Sequence, residues 1–227
     1  MSTRHTLQHS VQAPHQQIFL PGWGFGASIW QDYIADHQSH RLIDLPDFSC
    51  GDEDQVVDAL RSNIPPNSTI HAWSLSALWV IRLLQKTQMP VNKLYLYAPP
   101  LKLNMPEAKK QSFVRQFELA ADKLIHKFLT LACYPQPVDE LVDTFNPHIQ
   151  LKDNNQYRHW HHHLTWMMAF KSDPKEIEKL LNTSHASIIA GSDDVVVDKD
   201  YLQALAPTIF LKDHSHLSIL QEADKYE

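Results

Sequence analysis

The segment Thr69–Ile70–His71–Ala72–Trp73–Ser74–Leu75–Ser76–Ala77–Leu78 constrains the fold more than any other part of the chain. A short apolar run enters a serine flanked by small residues, and apolar residues at helical spacing leave it as far as Gln88. The pattern predicts a strand over 69–73, a tight turn at Ser74 and a helix over 75–88. A serine held at the tip of a strand–turn–helix is the layout of a nucleophile elbow, whose common form is G-x-S-x-G. That turn is so tight that the residues two before and two after the serine must be small. Here they are Ala72 and Ser76, small but not glycine. Each carries a Cβ into the tightest part of the turn, which predicts a strained Ser74 with positive φ. An apolar strand followed by a serine is common, so the chemistry depends on partners elsewhere.

The other strand signals surround this one. Gln16–Leu20 is a short buried strand stopped by Pro21–Gly22–Trp23–Gly24, and His40–Leu45 is a second, ended by Pro46. Lys93–Ala98 follows the serine helix and ends at Pro99–Pro100. Ser187–Ala190 and Thr208–Leu211 come late in the chain. Helices are predicted over Ser28–Asp36, over Asp52–Asn63 with acidic residues in its first turn, over Asp198–Leu205 and over Leu217–Tyr226. Strands alternating with helices imply βαβ units and a mainly parallel sheet, an α/β class fold. Residues 106–182 break the alternation, with helical periodicity, no clear strand, and prolines at 135, 137, 147 and 174. The expected organisation is a core of 1–105 and 183–227 with a helical cap of 106–182. The cap would cover the C-terminal ends of the strands, where open α/β sheets bind ligands.

Composition narrows the class further. Hydrophobic residues make up 43% of 227, enough for a sizeable core. A formal net charge of −6 argues against a general nucleic-acid binder. No apolar run approaches the roughly 20 residues that a membrane helix needs. Met1–His15 is polar and lacks the basic-then-apolar order of a signal peptide. Cys50 and Cys133 lie far apart, without metal or redox spacing, and read as reduced thiols. A cytoplasmic monomer with no membrane or nucleic-acid partner is the expectation. His159, His161, His162 and His163 form a run among fifteen histidines. Adjacent histidines on a helix point in different directions, which favours a solvated, aromatic-rich helix over a metal site.

A nucleophilic serine needs a base to take its proton and an acid to orient that base; Ser, then Asp or Glu, then His is one of the known chain orders. Ile188–Ile189–Ala190–Gly191–Ser192–Asp193–Asp194 supplies two aspartates after a strand and a glycine turn. Ile209–Phe210–Leu211–Lys212–Asp213–His214–Ser215–His216 supplies two histidines after the next strand. Each piece alone reads as a turn or a solvated loop. Their occurrence in order, at consecutive strand ends, is far less expected by chance. An oxyanion hole would take the backbone N–H of Leu75 and one from the loop after the first strand, where Trp23 sits. Such donors are worth roughly 3 kcal/mol each in the transition state.

At this point the chain resembles the α/β-hydrolase family over nearly its whole length. The resemblance is carried by FLPGWG (19–24), LIDLPDFS (42–49), HAWSLSAL (71–78), IIAGSDDVV (188–196) and DHSHLSIL (213–220). Within the family it is most similar to the pimeloyl-acyl-carrier-protein methyl ester esterases of biotin synthesis, which carry G-W-G after the first core strand, W-S-L at the nucleophile and a helical cap. The resemblance implies Ser74 as nucleophile, Trp23 and Leu75 as oxyanion donors, Asp194 as acid through G-x-x-D, and His216 as base, with His214 as fallback. Pro21 replaces the usual histidine before the oxyanion glycine, Asp47 replaces a usual glycine, and both elbow glycines are gone. These departures describe a divergent, compact member.

Lys109, Lys110, Arg115, Lys123 and Lys127 concentrate basic charge at the start of the expected cap. Acyl carrier protein is strongly acidic, so they are candidate docking residues, against the alternative of a solvated helix face. Phe113, Phe117, Phe128 and Leu131 are candidates to cover an acyl chain, or simply cap core. The expected activity is that of a serine carboxylesterase with no metal or organic cofactor, with pimeloyl-acyl-carrier-protein methyl ester as the substrate the resemblance implies. The alternatives are a general carboxylesterase or thioesterase for small substrates, and a non-catalytic binding protein on the hydrolase fold.

Overall fold

The computed structural model describes residues 16–34, 40–136, 145–151, 153–171, 173–205 and 208–226. The polar stretch Met1–His15, the end of the expected helix at Asp36, and Pro137 lie outside them. Six strands form one sheet: β1 (Gln17–Leu20), β2 (His40–Leu42), β3 (Thr69–Trp73), β4 (Lys93–Tyr97), β5 (Ala186–Gly191) and β6 (Thr208–Leu211). Their order is β2-β1-β3-β4-β5-β6, and every neighbouring pair is parallel. The chain therefore runs outward in one direction from β1 to β2 and in the other from β3 onward. A switch point of this kind leaves a crevice at the C-terminal ends of β1 and β3. Trp23 follows β1, and Ser74 follows β3.

All six expected strands are present, and their burial explains their composition. Every residue of β3 is buried, which is why it reads as a continuous run rather than an alternation. Helix α1 (Glu53–Asn63) starts where the Asp52 carboxylate accepts the Asp54 and Gln55 N–H groups. It buries Val56, Val57 and Leu60. Helix α2 (Leu75–Thr87) is buried from Leu75 to Ile81 without a break. It fills the space between the sheet and the helices that follow.

Between β4 and β5 lie α3 (Glu107–Cys133), α4 (Asn154–Ala169) and α5 (Pro174–Thr183), with no named strand among the described residues. The proline at 174 divides the helical block as expected: it begins α5, where its missing N–H costs nothing and Asp173 caps the turn. The longest helix bends at Ala120, whose φ of −162° and ψ of 71° are not helical. Two helices at the chain's ends differ from expectation. The expected helix over Ser28–Asp36 is a 3-10 turn over Ala27–Trp30, set by the Ala27 N–H on the Asp44 carboxylate and by the Trp30 indole on the Leu20 carbonyl. Ser218–Tyr226 is a run of 3-10 turns rather than an α-helix. No helix of the described residues is long and apolar enough to cross a membrane.

Candidate active site

Ser74 stands between β3 and α2 with φ of 54° and ψ of −115°, the strained backbone expected of it. The two substitutions at the elbow have different consequences. Ala72 is fully buried and adds only a methyl group. Ser76 is fully buried too, and its hydroxyl donates toward the carbonyls of Leu20 and Trp73, both at 3.0 Å. The residue that replaces glycine thus ties the elbow to the end of β1. The Ser74 N–H bonds the Tyr97 carbonyl at 2.8 Å, fixing the turn from the other side of β3.

Ser74, His216 and Asp194 come together although they are far apart in sequence. Ser74 Oγ lies 3.0 Å from His216 Nε2, and His216 Nδ1 lies 2.8 Å from Asp194 Oδ2. The other carboxylate oxygen, Asp194 Oδ1, accepts the N–H groups of Val196 at 2.7 Å and Val197 at 3.3 Å. Asp194 Oδ2 accepts the hydrogen bond that His216 Nδ1–H donates, which leaves Nε2 a lone pair for the Ser74 hydroxyl. Ser74 is 3% exposed, Asp194 1% and His216 0%, so the three-residue chain is shielded from water. The neighbouring candidates are elsewhere. Asp193 accepts from the Ser192 hydroxyl, and His214 faces the Lys212 carbonyl and the Glu222 carboxylate.

The loops that carry Asp194 and His216 are packed against each other through Gly191. A Cβ at that position would lie 2.0 Å from the His214 carbonyl oxygen and 2.8 Å from that of Ser215. The Asp193 N–H bonds the same His214 carbonyl at 2.9 Å. The glycine before the acid is therefore required by contact with the histidine loop. Two further ties hold that loop. Ser215 and Ser218 exchange backbone-to-hydroxyl bonds at 2.8 and 3.1 Å, and the Leu217 N–H bonds the Ala132 carbonyl of α3 at 3.0 Å.

Trp23 and Leu75 occupy the expected positions, after β1 and at the first residue of α2. The Leu75 N–H belongs to the first turn of a helix, where no intrahelical acceptor exists. The Trp23 ring meets Phe117 and Phe128 edge-on, at 5.4 and 5.5 Å, and its indole donates to the Trp160 carbonyl at 2.9 Å. Helices α3 and α4 are thereby both fastened to the loop after β1. Beside Trp23 lies a cavity of about 410 Å³, whose wall includes Phe113, Phe128, Met167 and Val195. Phe128, one residue of that wall, also stands 6.1 Å from the His216 ring, while Ser74 and His216 themselves are not among the lining residues. Phe117 lies behind Trp23, stacked on Tyr157 at 4.9 Å.

The basic residues of α3 do not share one patch. Lys109 and Lys127 border the cavity, as does half-exposed Leu131. Lys110 and Arg115 lie along a separate groove with Glu107 and Glu118, and Lys110 pairs with Glu107 at 2.9 Å. Lys123 is exposed and lines neither. Residues close in sequence point around a helix, and the bend at Ala120 turns its second half further away.

The histidine run is not a solvated face. His163 is fully buried and its Nδ1 accepts the Trp79 indole N–H at 3.0 Å. His159 Nδ1 accepts the Phe48 N–H at 3.1 Å, while His162 Nδ1 lies 2.9 Å from the Phe48 carbonyl. Burial holds the pKa of His163 well below the usual imidazole value, and that of His159 below it to a lesser degree against the opposing Asp47 carboxylate. These side chains bind the backbone after β2 to α4. Among the described residues no group of histidine, cysteine and carboxylate side chains is arranged to hold a metal ion.

No protein-family model matches the chain. An alignment 109 positions long is 28% identical to the biotin biosynthesis bifunctional protein BioHC of Teredinibacter turnerae, covering 42% of this chain and 19% of that protein. Among solved structures, a thermophilic esterase from Thermogutta terrifontis superposes with a TM-score of 0.68 at 9% identity, over 94% of this chain and 87% of that one. BioG from Haemophilus influenzae superposes with a TM-score of 0.56 at 15% identity, over 92% and 91% of the two chains. The parallel sheet, its strand order and these superpositions give the chain the α/β-hydrolase fold.

Proposed function

We propose that this chain of α/β-hydrolase fold is a serine esterase that cleaves carboxylic esters by acyl transfer to Ser74. The observation that carries the reading is the unbroken, buried chain of hydrogen bonds from Ser74 through His216 to Asp194. His216 Nε2 takes the Ser74 proton as Oγ attacks the ester carbonyl carbon. The oxyanion that forms is held by the N–H groups of Trp23 and Leu75. The imidazolium, steadied by Asp194, returns its proton to the leaving alkoxide, and the alcohol departs. Water, deprotonated by the same histidine, then attacks the acyl-serine and releases the acid. Every proton is passed between Ser74, His216, the alcohol and water, so the residues present suffice for the reaction.

Helices α3 and α4 act as the cap in this reading, and the cavity beside Trp23 receives the acyl chain. Its wall is built largely of apolar side chains, with Lys109 and Lys127 at its edge. An ester of pimeloyl-acyl-carrier protein is the substrate we favour. The sequence motifs and the partial likeness to BioHC support it. Lys109 and Lys127 are then the basic groups best placed to meet an acidic carrier, ahead of Lys110, Arg115 and Lys123. Ser74→Ala should abolish turnover of a short-chain p-nitrophenyl ester while leaving the circular dichroism spectrum unchanged. Wild-type turnover in that variant would remove Ser74 from the reaction. A preference for the carrier-bound methyl ester over free methyl esters would fix the substrate class. Equal rates on both would favour a general esterase instead.

A further inference from the structure

The residue before the serine has a side chain that the reaction scheme does not use. Trp73 is fully buried, and its indole Nε1–H donates to the backbone carbonyl of His216 at 3.0 Å. Its ring lies 5.9 Å from the His216 imidazole and 5.2 Å from Phe25. It also lies against Gly22, where a Cβ would come within 2.8 Å of two ring carbons. One side chain thus touches the loop before Trp23, the loop that carries His216, and, through its own backbone, the serine.

We propose that Trp73 is a positioning residue that sets the distance between Ser74 and His216. This rests on the esterase reading above. Two bonds join the dipeptide Trp73–Ser74 to the single residue His216: Ser74 Oγ to its imidazole, and the Trp73 indole to its carbonyl. The second fixes the His216 backbone relative to the serine whatever the imidazole is doing. That matters because the imidazole must leave the serine, carry a proton to the leaving group and return. His216 lies in an irregular loop after β6, so no strand or helix ladder holds its carbonyl. Its other ties, through Ser215, Ser218 and the Leu217 N–H, anchor neighbours on either side and lead to α3 rather than to the elbow. The Trp73 ring also explains Gly22 as a space requirement, since any side chain there would displace the indole.

The test removes the donor and keeps the ring. Trp73 is replaced by Phe and, by site-specific incorporation, by benzothienylalanine, which matches the indole in shape but has sulfur for the N–H. Turnover of p-nitrophenyl butyrate and the rate of Ser74 labelling by a fluorophosphonate are measured on the folded fraction, beside Ser74→Ala. A net hydrogen bond of ordinary strength predicts a fall of about fivefold to tenfold in kcat and in labelling rate, with KM within twofold. The benzothienyl variant should show that loss with an unchanged melting temperature or a small drop. Wild-type kcat and labelling rate in the benzothienyl variant would overturn the inference, even if stability falls. Should Ser74→Ala retain turnover, the esterase reading itself fails, which is a different result from an active benzothienyl variant beside an inactive Ser74→Ala.

Discussion

Acid should destabilise this protein well above the range where carboxylates titrate, because it buries histidines in neutral form. His71 lies in the middle of β3, fully buried, stacked between Phe19 at 4.3 Å and Tyr95 at 4.9 Å. Its ring nitrogens face the Tyr97 hydroxyl and the Gln17 amide oxygen, and among the described residues no carboxylate pairs with it. Burial lowers its pKa from 6.5 to about 3. The unfolded chain therefore takes up this proton first as pH falls, so stability drops below about pH 6.5 and keeps dropping until the folded-state value near 3. At about pH 5 the linkage cost of His71 is about 2 kcal/mol. Burial shifts His163 in the same direction, so it adds to the loss of stability in acid. A domain holds only about 5–15 kcal/mol in total. Urea melts at about pH 7.5, 6, 5.5 and 5 measure this directly. His71→Gln, which keeps donor and acceptor atoms near Tyr97 and Gln17, should lose about 1.3 kcal/mol per pH unit from the slope between about pH 6 and 5. An unchanged slope in that variant would refute the argument, whatever its absolute stability.

Other consequences are more local. Asp194→Asn should leave the fold intact and reduce ester turnover by about 10⁴-fold, because the amide fixes His216 in the wrong tautomer; steady-state kinetics on purified protein checks it. Gly191→Ala should disrupt the acid and histidine loops together, since its Cβ would lie 2.0 Å from the His214 carbonyl; a large drop in melting temperature is expected. Ser76→Ala removes a buried hydroxyl from the Leu20 and Trp73 carbonyls and should cost about 1–3 kcal/mol in urea melts. Ser76→Gly should cost more than Ser76→Ala, because it adds backbone freedom to the start of α2.

The parts of the fold that are readable in the sequence are those where local pattern and tertiary demand agree. All six strands are short apolar runs cut by proline, glycine or polar residues, and each appears near its expected bounds. Serine, aspartate and histidine at successive strand ends are legible for the same reason, and the family resemblance favours Asp194 over Asp193 and His216 over His214, the pair that a hydrogen bond joins in the structure. Where structure depends on distant partners, the sequence is silent. His159, His162 and His163 look like a polar helix face until the backbone at Pro46 and Phe48, over a hundred residues earlier, is found against them. The five basic residues of α3 look like one patch because sequence lists them together, while the helix turns them to different sides. Trp73 is the clearest case. As a residue of a buried strand it reads as core, and nothing near it in sequence points to its hydrogen bond with the carbonyl of His216, 143 positions away.

The central claim is that Ser74 is a nucleophile activated by His216. Reaction of the intact protein with a fluorophosphonate, followed by peptide mass mapping, tests it most directly. A single adduct is expected on the peptide that holds Ser74, absent in Ser74→Ala and formed about a hundredfold more slowly in His216→Ala, on the order of what general-base catalysis supplies. No adduct on the folded wild-type protein, or an adduct at another serine with Ser74 untouched, would contradict it.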